Sequence, residues 1–324
     1  MDFTEEMKDK VLRGEQIDRE EALRLSEEPS DRLREAAEEI RRKVCGNGFD
    51  ICTIVNAKCG RCSEDCKYCA QSAHYQTACD QSYPLLSAEE LLDGARRSAR
   101  QGVLRYSIVT SGRRLSDAEV EQVCGSIRKI KAETSIEVCV SLGLLDETQF
   151  HRIREAGASR VHCNLETSAR YFPSVCTTHT YAEKIETLQA AKRAGLSVCS
   201  GGILGLGETM EDRIDMALTV RELGVRSVPV NLLNPIMGTP YEKNAPLTNE
   251  EACLCVALFR FLLPDASIRL AGGRGLLGDK GEACFRSGAN AAISGDMLTT
   301  AGITVATDRE MLHNLGFEVK RNDG

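Results

Sequence analysis

Short apolar runs alternate with longer amphipathic stretches along most of the chain. Eight runs, most of them rich in β-branched residues, predict strands at 51–56, 104–110, 136–141, 160–165, 197–201, 226–232, 267–271 and 291–294. The stretches between them carry apolar residues at helical spacing, and several end at Gly. Ser87, for example, is predicted to cap a helix that reaches Gly102. The alternation predicts parallel strands connected by helices.

Eight strands that alternate with helices predict a (β/α)8 barrel of the TIM type, over residues 48–300. An open, doubly wound parallel sheet gives the same pattern and remains an alternative. Residues 1–47 are rich in Glu, Arg, Leu and Ala and predict an N-terminal helical extension of two helices. Pro29 separates these helices, and Asp31 is a candidate cap for the second. A final helix and a tail are predicted for residues 301–324.

The charge balance limits the classes of partner. The 324 residues include 41 Lys and Arg against 48 Asp and Glu, a net charge of −7. No basic stripe indicates nucleic acid or a membrane surface as a partner. No apolar run approaches the roughly 20 residues that span a bilayer. The acidic, polar start MDFTEEMKDK is unlike a secretory signal, so we expect a cytoplasmic protein.

Fifteen cysteines are an unusual number for such a protein. Three of them, Cys62, Cys66 and Cys69, have the spacing C-x3-C-x2-C directly after the first predicted strand. Three thiolates on one loop can hold three irons of a cubane cluster, which leaves the fourth iron open to bind another molecule. The loop follows a strand, and active sites of this barrel gather at the carboxyl ends of the strands.

Zinc is the alternative occupant of this loop. Cys59 adds a second C-x2-C pair, so that the full spacing is C-x2-C-x3-C-x2-C. Structural zinc sites usually separate two such pairs by a dozen residues or more. Two pairs only three residues apart would be cramped around one tetrahedral ion. The spacing therefore favours an iron–sulfur cluster, and Cys59 is expected to be a spare thiol.

The loop, with Tyr68 just before its last cysteine, resembles that of the radical S-adenosylmethionine superfamily. The resemblance implies that Cys62, Cys66 and Cys69 ligate a [4Fe-4S] cluster, that the open iron binds S-adenosylmethionine, and that Tyr68 lies near this cofactor. Reduction then yields a 5′-deoxyadenosyl radical. The segment GGILGLGE at 201–208 resembles the stretch that supports the adenosine, which implies cofactor contacts at Gly205 and Gly207.

Further stretches resemble the biotin synthase family over about residues 50–300. They include KCGRCSEDCKYCAQSAHY, HCNLETS, SVCSGGILGLGET, SVPVNLL, IRLAGGR and LTT, in the family's order. The resemblance implies insertion of sulfur into dethiobiotin, with the sulfur supplied by an auxiliary iron–sulfur cluster, [2Fe-2S] in the family. It also implies a homodimer and an electron donor such as flavodoxin or ferredoxin.

The resemblance assigns roles to particular residues. It implies that Cys139 and Cys199 are thiolate ligands of the auxiliary cluster and that Arg269 is an unusual arginine ligand. It places the remaining roles near S-adenosylmethionine (Asn164, Glu166, Lys184) and near the substrate (Asn164, Asn231, Thr299, Thr300).

The sequence departs from the family at the second strand, where Ser107 replaces an auxiliary cysteine. A hydroxyl is a poorer ligand than a thiolate for iron–sulfur clusters. Either Ser107 ligates weakly, or another thiol replaces it, and the candidates are Cys52 and Cys163. A regular strand would not point both Cys163 and its neighbour Asn164 inward, which favours Cys52. Cys52, Cys139 and Cys199 would then suit a four-iron cluster that carries an extra sulfide, with Arg269 as a neighbour.

Other functions remain open at this point. Radical enzymes of similar barrel, of the hydrogenase-maturation or methylornithine synthase type, would share the cysteine loop. An iron–sulfur electron carrier or a zinc-binding module is a non-enzymatic alternative. Cys176 has no ligand spacing, and His179 is expected to be an ordinary hydrogen-bonded residue.

Overall fold

The computed structural model describes residues 2–77, 79 and 81–321. Its strands are β1 (Gly48–Lys58), β2 (Arg105–Thr110), β3 (Glu137–Ser141), β4 (Ala158–His162), β5 (Ser197–Cys199), β6 (Gly202–Leu204), β7 (Ser227–Leu232), β8 (Ser267–Leu270), β9 (Ala291–Ile293) and β10 (Glu318–Val319). Its α-helices are α1 (Phe3–Leu12), α2 (Arg19–Leu25), α3 (Ser30–Cys45), α4 (Ala88–Arg100), α5 (Asp117–Glu133), α6 (Glu147–Glu155), α7 (Phe172–Val175), α8 (Tyr181–Arg193), α9 (Met210–Glu222), α10 (Asn249–Leu262), α11 (Glu282–Phe285) and α12 (Val305–Asn314). Of these helices, none is both long and apolar enough to cross a membrane.

The strands close into a parallel barrel. The order is β1, β2, β3, β4, β5, β7, β8, β9, and β9 pairs back onto β1 through Asp50 with Ala291 and Cys52 with Ile293. β6 follows β5 on the same side of the barrel and pairs with β7. The closure confirms the predicted (β/α)8 barrel and excludes the open, doubly wound sheet.

Each predicted strand corresponds to one side of the barrel, although most boundaries shift by one to three residues, and two of the differences bear on the site. The strand predicted at 160–165 ends at His162, and the chain then bends at Glu166, which has a left-handed φ of 71°. The strand predicted at 197–201 is interrupted at Gly201, where the backbone passes so close to the Pro229 carbonyl that a side chain would overlap it. Both interruptions lie at the end of the barrel that carries the cysteine loop.

The N-terminal segment forms three helices where two were expected. α1 begins at Asp2, whose carboxylate accepts a hydrogen bond from the Thr4 backbone N–H. α3 begins after Pro29, and no side chain caps it. The expectation that Asp31 caps this helix is wrong, because Ser30 already belongs to the first turn and Asp31 lies within that turn. α1 and α3 pack against α10 on the outside of the barrel.

The C-terminal segment contains more than a helix and a tail. α12 is followed by β10, which pairs with the start of β1 through Gly48 with Glu318 and Phe49 with Val319. The sequence predicted only a tail after the final helix, so this short strand was not expected. The last residues of the predicted tail, 322–324, lie outside the described residues.

Capping boxes fix where the outer helices begin. The Ser87 hydroxyl accepts a hydrogen bond from the Glu90 backbone N–H, and the Glu90 carboxylate accepts one from the Ser87 backbone N–H. This confirms the predicted start of α4. The same reciprocal pattern starts α5, α6, α8, α9 and α10. Each such cap contributes about 1 kcal/mol, so each connection between strand and helix is locally specified.

Phe49 joins the lower end of the barrel to the C-terminal segment. Its fully buried ring packs edge-on against Phe285 at 5.0 Å and Phe317 at 5.1 Å between centroids.

We expect Phe49→Ala to lower the free energy of unfolding by about 3–5 kcal/mol, because loss of the ring would leave a cavity where three segments of the chain pack together. Phe3→Ala is the matched control, since Phe3 is half-buried at the chain start. Urea unfolding of the cluster-free protein measures both, and equal losses would contradict this role.

Candidate active site

The cysteine loop follows β1 at the carboxyl end of the barrel. The Cys62 backbone N–H donates to the Gln71 carbonyl at 2.8 Å, and the Ala73 N–H donates back to the Cys62 carbonyl at 2.8 Å. Within this closed loop, a turn joins the Cys69 N–H to the Cys66 carbonyl at 3.0 Å. The turn brings all three predicted ligand thiols to the wall of one cavity.

A second segment holds the loop in place. The Asp65 carboxylate accepts hydrogen bonds from the backbone N–H groups of Thr177 at 2.8 Å and Thr178 at 3.1 Å. The Asp65 N–H donates to the Thr178 hydroxyl at 3.1 Å. These hydrogen bonds hold the pKa of Asp65 well below its ordinary value, although partial burial opposes the shift. The loop conformation therefore depends on a segment more than a hundred residues away.

One cavity of about 430 Å³ occupies the upper part of the barrel. It brings together most residues that the sequence singled out. Those in its wall are Cys62, Cys66, Cys69, Tyr68, Ser107, Cys163, Asn164, Glu166, Lys184, Asn231, Thr299 and Thr300. Its size is that of a site for small organic molecules.

Glu166 and Lys184 form a buried pair beside the cysteine loop. Lys184 Nζ lies 3.7 Å from Glu166 Oε1, and both side chains are about 10% exposed. Burial raises the pKa of Glu166, while Lys184 and a hydrogen bond from Tyr68 oppose that rise. Burial alone would lower the pKa of Lys184, but Cys163 and Glu166 raise it overall. The pair offers one cationic and one anionic group to a zwitterionic ligand.

The backbone around Glu166 requires glycine on the neighbouring strand. Glu166 donates its N–H to the Gly201 carbonyl at 3.1 Å and accepts from the Ile203 N–H at 2.8 Å. A side chain at Gly202 would overlap the Glu166 carbonyl. The GG pair of the sequence therefore lets Glu166 reach the cavity despite its left-handed conformation.

Gly205 and Gly207 lie outside the cavity wall described above. Both have positive φ, 97° and 103°, and a side chain at Gly205 would overlap Leu247. Their conformation forms the turn that follows β6. A direct cofactor contact for these two glycines stays a prediction.

Four polar residues of the cavity differ in how many hydrogen bonds they already make within the protein, namely Asn164, Asn231, Thr299 and Thr300. Asn164 Oδ1 is buried and has no hydrogen-bond partner among the described residues. Asn231 donates to the Gly202 carbonyl at 3.0 Å and accepts from the Gly272 N–H at 2.9 Å, so its amide is fixed by the barrel wall. Thr299 is exposed and Thr300 half-buried at the mouth. A polar ligand would find open hydrogen-bonding capacity at both ends of the cavity.

Below the cavity, three cysteines face the barrel interior. Cys52 lies two residues before Ile54 on β1, and Cys139 lies two before Ser141 on β3. Both Ile54 and Ser141 line the cavity, so strand alternation points the two thiols inward. Burial raises the pKa of Cys139 to about 12, with a smaller contribution from Cys52 and Cys199, while Arg160 and Arg105 oppose the rise. The three thiols are therefore close enough to influence each other's ionisation.

Asp50 links two arginines beside these thiols. Its carboxylate accepts from Arg269 Nη2 at 2.9 Å and from Arg105 Nε at 3.0 Å, and all three side chains are buried. Arg269 Nη1 also donates to Cys52 Sγ at 3.3 Å. Burial would raise the pKa of Asp50, but Arg269 and Arg105 lower it to about 2. The network holds Arg269 against Cys52.

The barrel interior contains polar atoms that the described protein atoms do not satisfy. The buried atoms without a hydrogen-bond partner in the described part of the chain include Ser107 Oγ, Arg160 Nη1, His162 Nε2 and Arg269 Nε. Unpaired buried polar groups are costly, so each calls for a partner such as a bound ion, a cofactor or water. Three inward thiols with unpaired cationic donors nearby fit an anionic iron–sulfur cluster, and the mouth thiols fit a second one.

Cys163 belongs to the upper group of residues. β4 ends at His162, so the premise of a regular strand through 163 and 164 is wrong, and both residues line the cavity. The pKa of Cys163 is raised by burial, and its charged neighbours are Lys184 and Glu166. Cys52, by contrast, contacts Arg269. The geometry thus associates Cys163 with the mouth and Cys52 with the interior.

The charged residues of the barrel interior were not predicted from the sequence. Asp50, Arg105 and Arg160 fall within or beside apolar strand runs, where a charged residue is unusual. A charged residue in or beside an apolar strand run was therefore the signal that could have identified them. Their partners lie on other strands, which the linear sequence does not identify.

Asp50→Asn tests the buried network. We expect a loss of about 3–5 kcal/mol in the free energy of unfolding at neutral pH, because two buried guanidinium groups lose their counter-charge. The depressed pKa means that this stabilisation is complete above the ordinary value of 3.8 and is lost as the pH falls through about 2. Asp117→Asn is the control, since its carboxylate is 79% exposed and pairs with Arg152 at the surface. Unfolding titrations at several pH values measure both, and equal losses would refute the role.

Comparisons with known proteins give the family. A model of the radical SAM superfamily matches residues 58–220, and one of the biotin and thiamin synthesis associated domain matches 229–318. Biotin synthase 2 of Corynebacterium diphtheriae is 56% identical over 319 residues, covering 98% of this chain and 97% of that protein. The biotin synthase of Brachyspira hyodysenteriae is 54% identical, covering 98% and 95%.

A solved structure of methylornithine synthase superposes with a TM-score of 0.84, covers 98% of both chains, and is 19% identical. That distant likeness shows the shared fold alone, so it does not support the methylornithine synthase alternative. The full-length relatives also exclude a simple electron carrier or zinc module. The chain belongs to the biotin synthase family, within the radical S-adenosylmethionine superfamily.

Proposed function

We propose that this chain forms biotin from dethiobiotin with two iron–sulfur clusters, one held by Cys62, Cys66 and Cys69 and the other by Cys52, Cys139 and Cys199. The observation that carries the proposal is one cavity with three thiols in its upper wall and three more in the barrel interior below it. When bound, the first cluster and S-adenosylmethionine supply the 5′-deoxyadenosyl radical, and the second cluster supplies the sulfur.

The chain's role at the mouth is to bind and orient S-adenosylmethionine. Lys184 suits the carboxylate of the methionine part, and Glu166 suits a hydroxyl or ammonium group of the same ligand. Asn164 adds an unpaired carbonyl oxygen. Tyr68 holds Glu166 by a hydrogen bond, and the turn formed by Gly205 and Gly207 shapes the adenosine side.

Dethiobiotin would lie between the two sets of thiols. The ureido group offers N–H donors and a carbonyl acceptor, which match Asn164 and the remaining capacity of Asn231. Thr299 and Thr300 at the rim suit the carboxylate of the substrate tail. The substrate would then displace water from the cavity, which protects a reactive radical from side reactions.

The interior favours Cys52 as the third auxiliary ligand. Cys52, Cys139 and Cys199 are buried thiols whose pKa burial raises, so binding of iron releases their protons. Arg269 lies 3.3 Å from Cys52 Sγ and would stabilise the resulting thiolate. Three thiolates suit a four-iron cluster with one open iron, which could carry an extra sulfide. Ser107 would then be a neighbour of the cluster and not a ligand.

The proposal includes two partners that rest on the family resemblance. A low-potential carrier such as flavodoxin or ferredoxin would deliver electrons to the mouth cluster. The enzyme would act as a homodimer in the cytoplasm. The electron carrier, the homodimer and the cytoplasmic location stay predictions.

Single-turnover chemistry tests the function. The protein is reconstituted without oxygen, reduced, and mixed with S-adenosylmethionine and dethiobiotin, and mass spectrometry follows the products. We expect biotin together with 5′-deoxyadenosine. 5′-Deoxyadenosine without any sulfur-containing product would contradict biotin formation while keeping the radical chemistry.

Iron and sulfide analysis tests the ligand set. We expect about eight irons per chain in the reconstituted protein and about four in Cys52→Ala, because only the mouth cluster remains. Cys163→Ala is the matched control and should keep both clusters. Cys52→Ala should still cleave S-adenosylmethionine but form no biotin.

Two results would refute this ligand set. One is a total near four irons in the unaltered protein. The other is loss of the second cluster in Cys163→Ala and its retention in Cys52→Ala. Ser107→Ala tests the remaining alternative, in which Ser107 is the third ligand. If Ser107 is a ligand, this variant loses the second cluster, whereas we expect the variant to retain it.

A further inference from the structure

A further set of metal-ligating side chains shares Cys66 with the cysteine loop. Of the described residues, only Cys66, Cys176 and His179 bring three such atoms within 4.8 Å of one another. Cys66 Sγ lies 3.7 Å from Cys176 Sγ, and Cys176 Sγ lies 3.3 Å from His179 Nδ1. Neither Cys176 nor His179 has a role in the proposed reaction, and their spacing in the sequence gave no ligand signal.

The fold fixes Cys176 and His179 at both ends of their segment. Cys176 follows α7 directly, and its N–H donates to the Phe172 carbonyl at 3.1 Å. His179 immediately precedes Thr180, which caps α8. Between them, Thr177 and Thr178 bind Asp65 of the cysteine loop. The two side chains are therefore held against the loop before any ion binds.

The distances match the edges of a tetrahedral site. With metal–sulfur bonds of about 2.3 Å and metal–nitrogen bonds of about 2.0 Å, two sulfurs lie about 3.8 Å apart and a sulfur and a nitrogen about 3.5 Å apart. The observed separations are 3.7 Å and 3.3 Å. Glu64 Oε2 lies 2.6 Å from His179 Nδ1 and adds negative charge beside this set of three residues, although it does not belong to the set.

The local hydrogen bonds also leave room for a cation. His179 Nδ1 carries at most one proton, yet it contacts both Glu64 Oε2 and Cys176 Sγ. His179 Nε2 is buried and has no hydrogen-bond partner among the described residues. Asp65 Oδ1 lies 3.1 Å from Cys176 Sγ and adds a second carboxylate. Two thiols and an imidazole within 4.8 Å of one another suit a divalent ion, and the two carboxylates beside them favour its positive charge.

We propose that Cys66, Cys176 and His179 bind one divalent ion of the iron(II) or zinc(II) class in the cluster-free protein. Cys66 cannot serve this ion and the mouth cluster at the same time, so the site exists only before that cluster is assembled. This consequence rests on the proposed function, which assigns Cys66 to the cluster. Iron(II) held there is positioned for cluster assembly, whereas zinc(II) held there blocks it.

Cobalt(II) titration tests the site, because cobalt(II) replaces either ion and its visible spectrum reports thiolate and tetrahedral coordination. The cluster-free, fully reduced protein is titrated without oxygen. We expect the tightest equivalent to give thiolate-to-cobalt bands, and Cys176→Ala to bind it at least about tenfold more weakly. Cys124→Ala, which removes a buried cysteine on α5, should match the unaltered protein. Equal affinity and spectrum in Cys176→Ala would overturn the proposal.

Circular dichroism verifies that Cys176→Ala is folded, and Cys176→Ser is measured if it is not. The cobalt(II) titration is then repeated with Cys176→Ser, and its affinity and spectrum are compared with those of the unaltered protein. No substrate is present, so failure here is distinct from failure to form biotin.

Preloading distinguishes the two ions. One equivalent of iron(II) or zinc(II) is added before the remaining iron and sulfide, and visible absorption follows assembly of the mouth cluster. Faster assembly with iron(II) in the unaltered protein but not in Cys176→Ala supports an iron-loading site. Slower assembly with zinc(II) in the unaltered protein alone supports a zinc-blocked site. Equal effects in both proteins, or none with either ion, would overturn the proposal.

Discussion

The interior of this barrel is organised around a buried carboxylate between two guanidinium groups. Asp50 accepts hydrogen bonds at about 3 Å from Arg105 on the neighbouring β2 and from Arg269 on β8, which β9 separates from β1. Such a network is costly to bury, because each charged group loses its hydration. Here it holds Arg269 beside Cys52 and surrounds the three interior thiols with positive charge. In the proposed reaction, the source of the sulfur would depend on that arrangement.

The mouth of the barrel obeys a different constraint. The cysteine loop has little regular structure of its own, and Asp65 ties it to residues 177 and 178 through short hydrogen bonds. Glu166 reaches the same cavity because Gly202 leaves space for its backbone. In the proposed function, radical generation and sulfur donation lie at opposite ends of one cavity, so that a single bound substrate would be exposed to both.

The sequence predicted the barrel because strand and helix alternate regularly and because caps such as Ser87 mark the helix starts. It missed β10, whose two residues gain stability only by pairing with β1. Motifs identified the mouth cysteines, because they are close in the chain. Asp50, Arg105 and the pair Cys176 and His179 were missed, since their partners are brought together only by folding. Cys52 was preferred to Cys163 on the expectation of a regular strand through residues 163 and 164, whereas β4 ends at His162.

In the proposed function, the interior thiols hold the cluster whose sulfide becomes the sulfur of biotin. This claim is tested by reconstituting the cluster-free protein with isotopically labelled sulfide, followed by one turnover and mass spectrometry of biotin. We expect the label in biotin from the unaltered protein and no sulfur insertion in Cys52→Ala. Unlabelled biotin from the fully labelled protein would show that the sulfur comes from elsewhere and would contradict the claim.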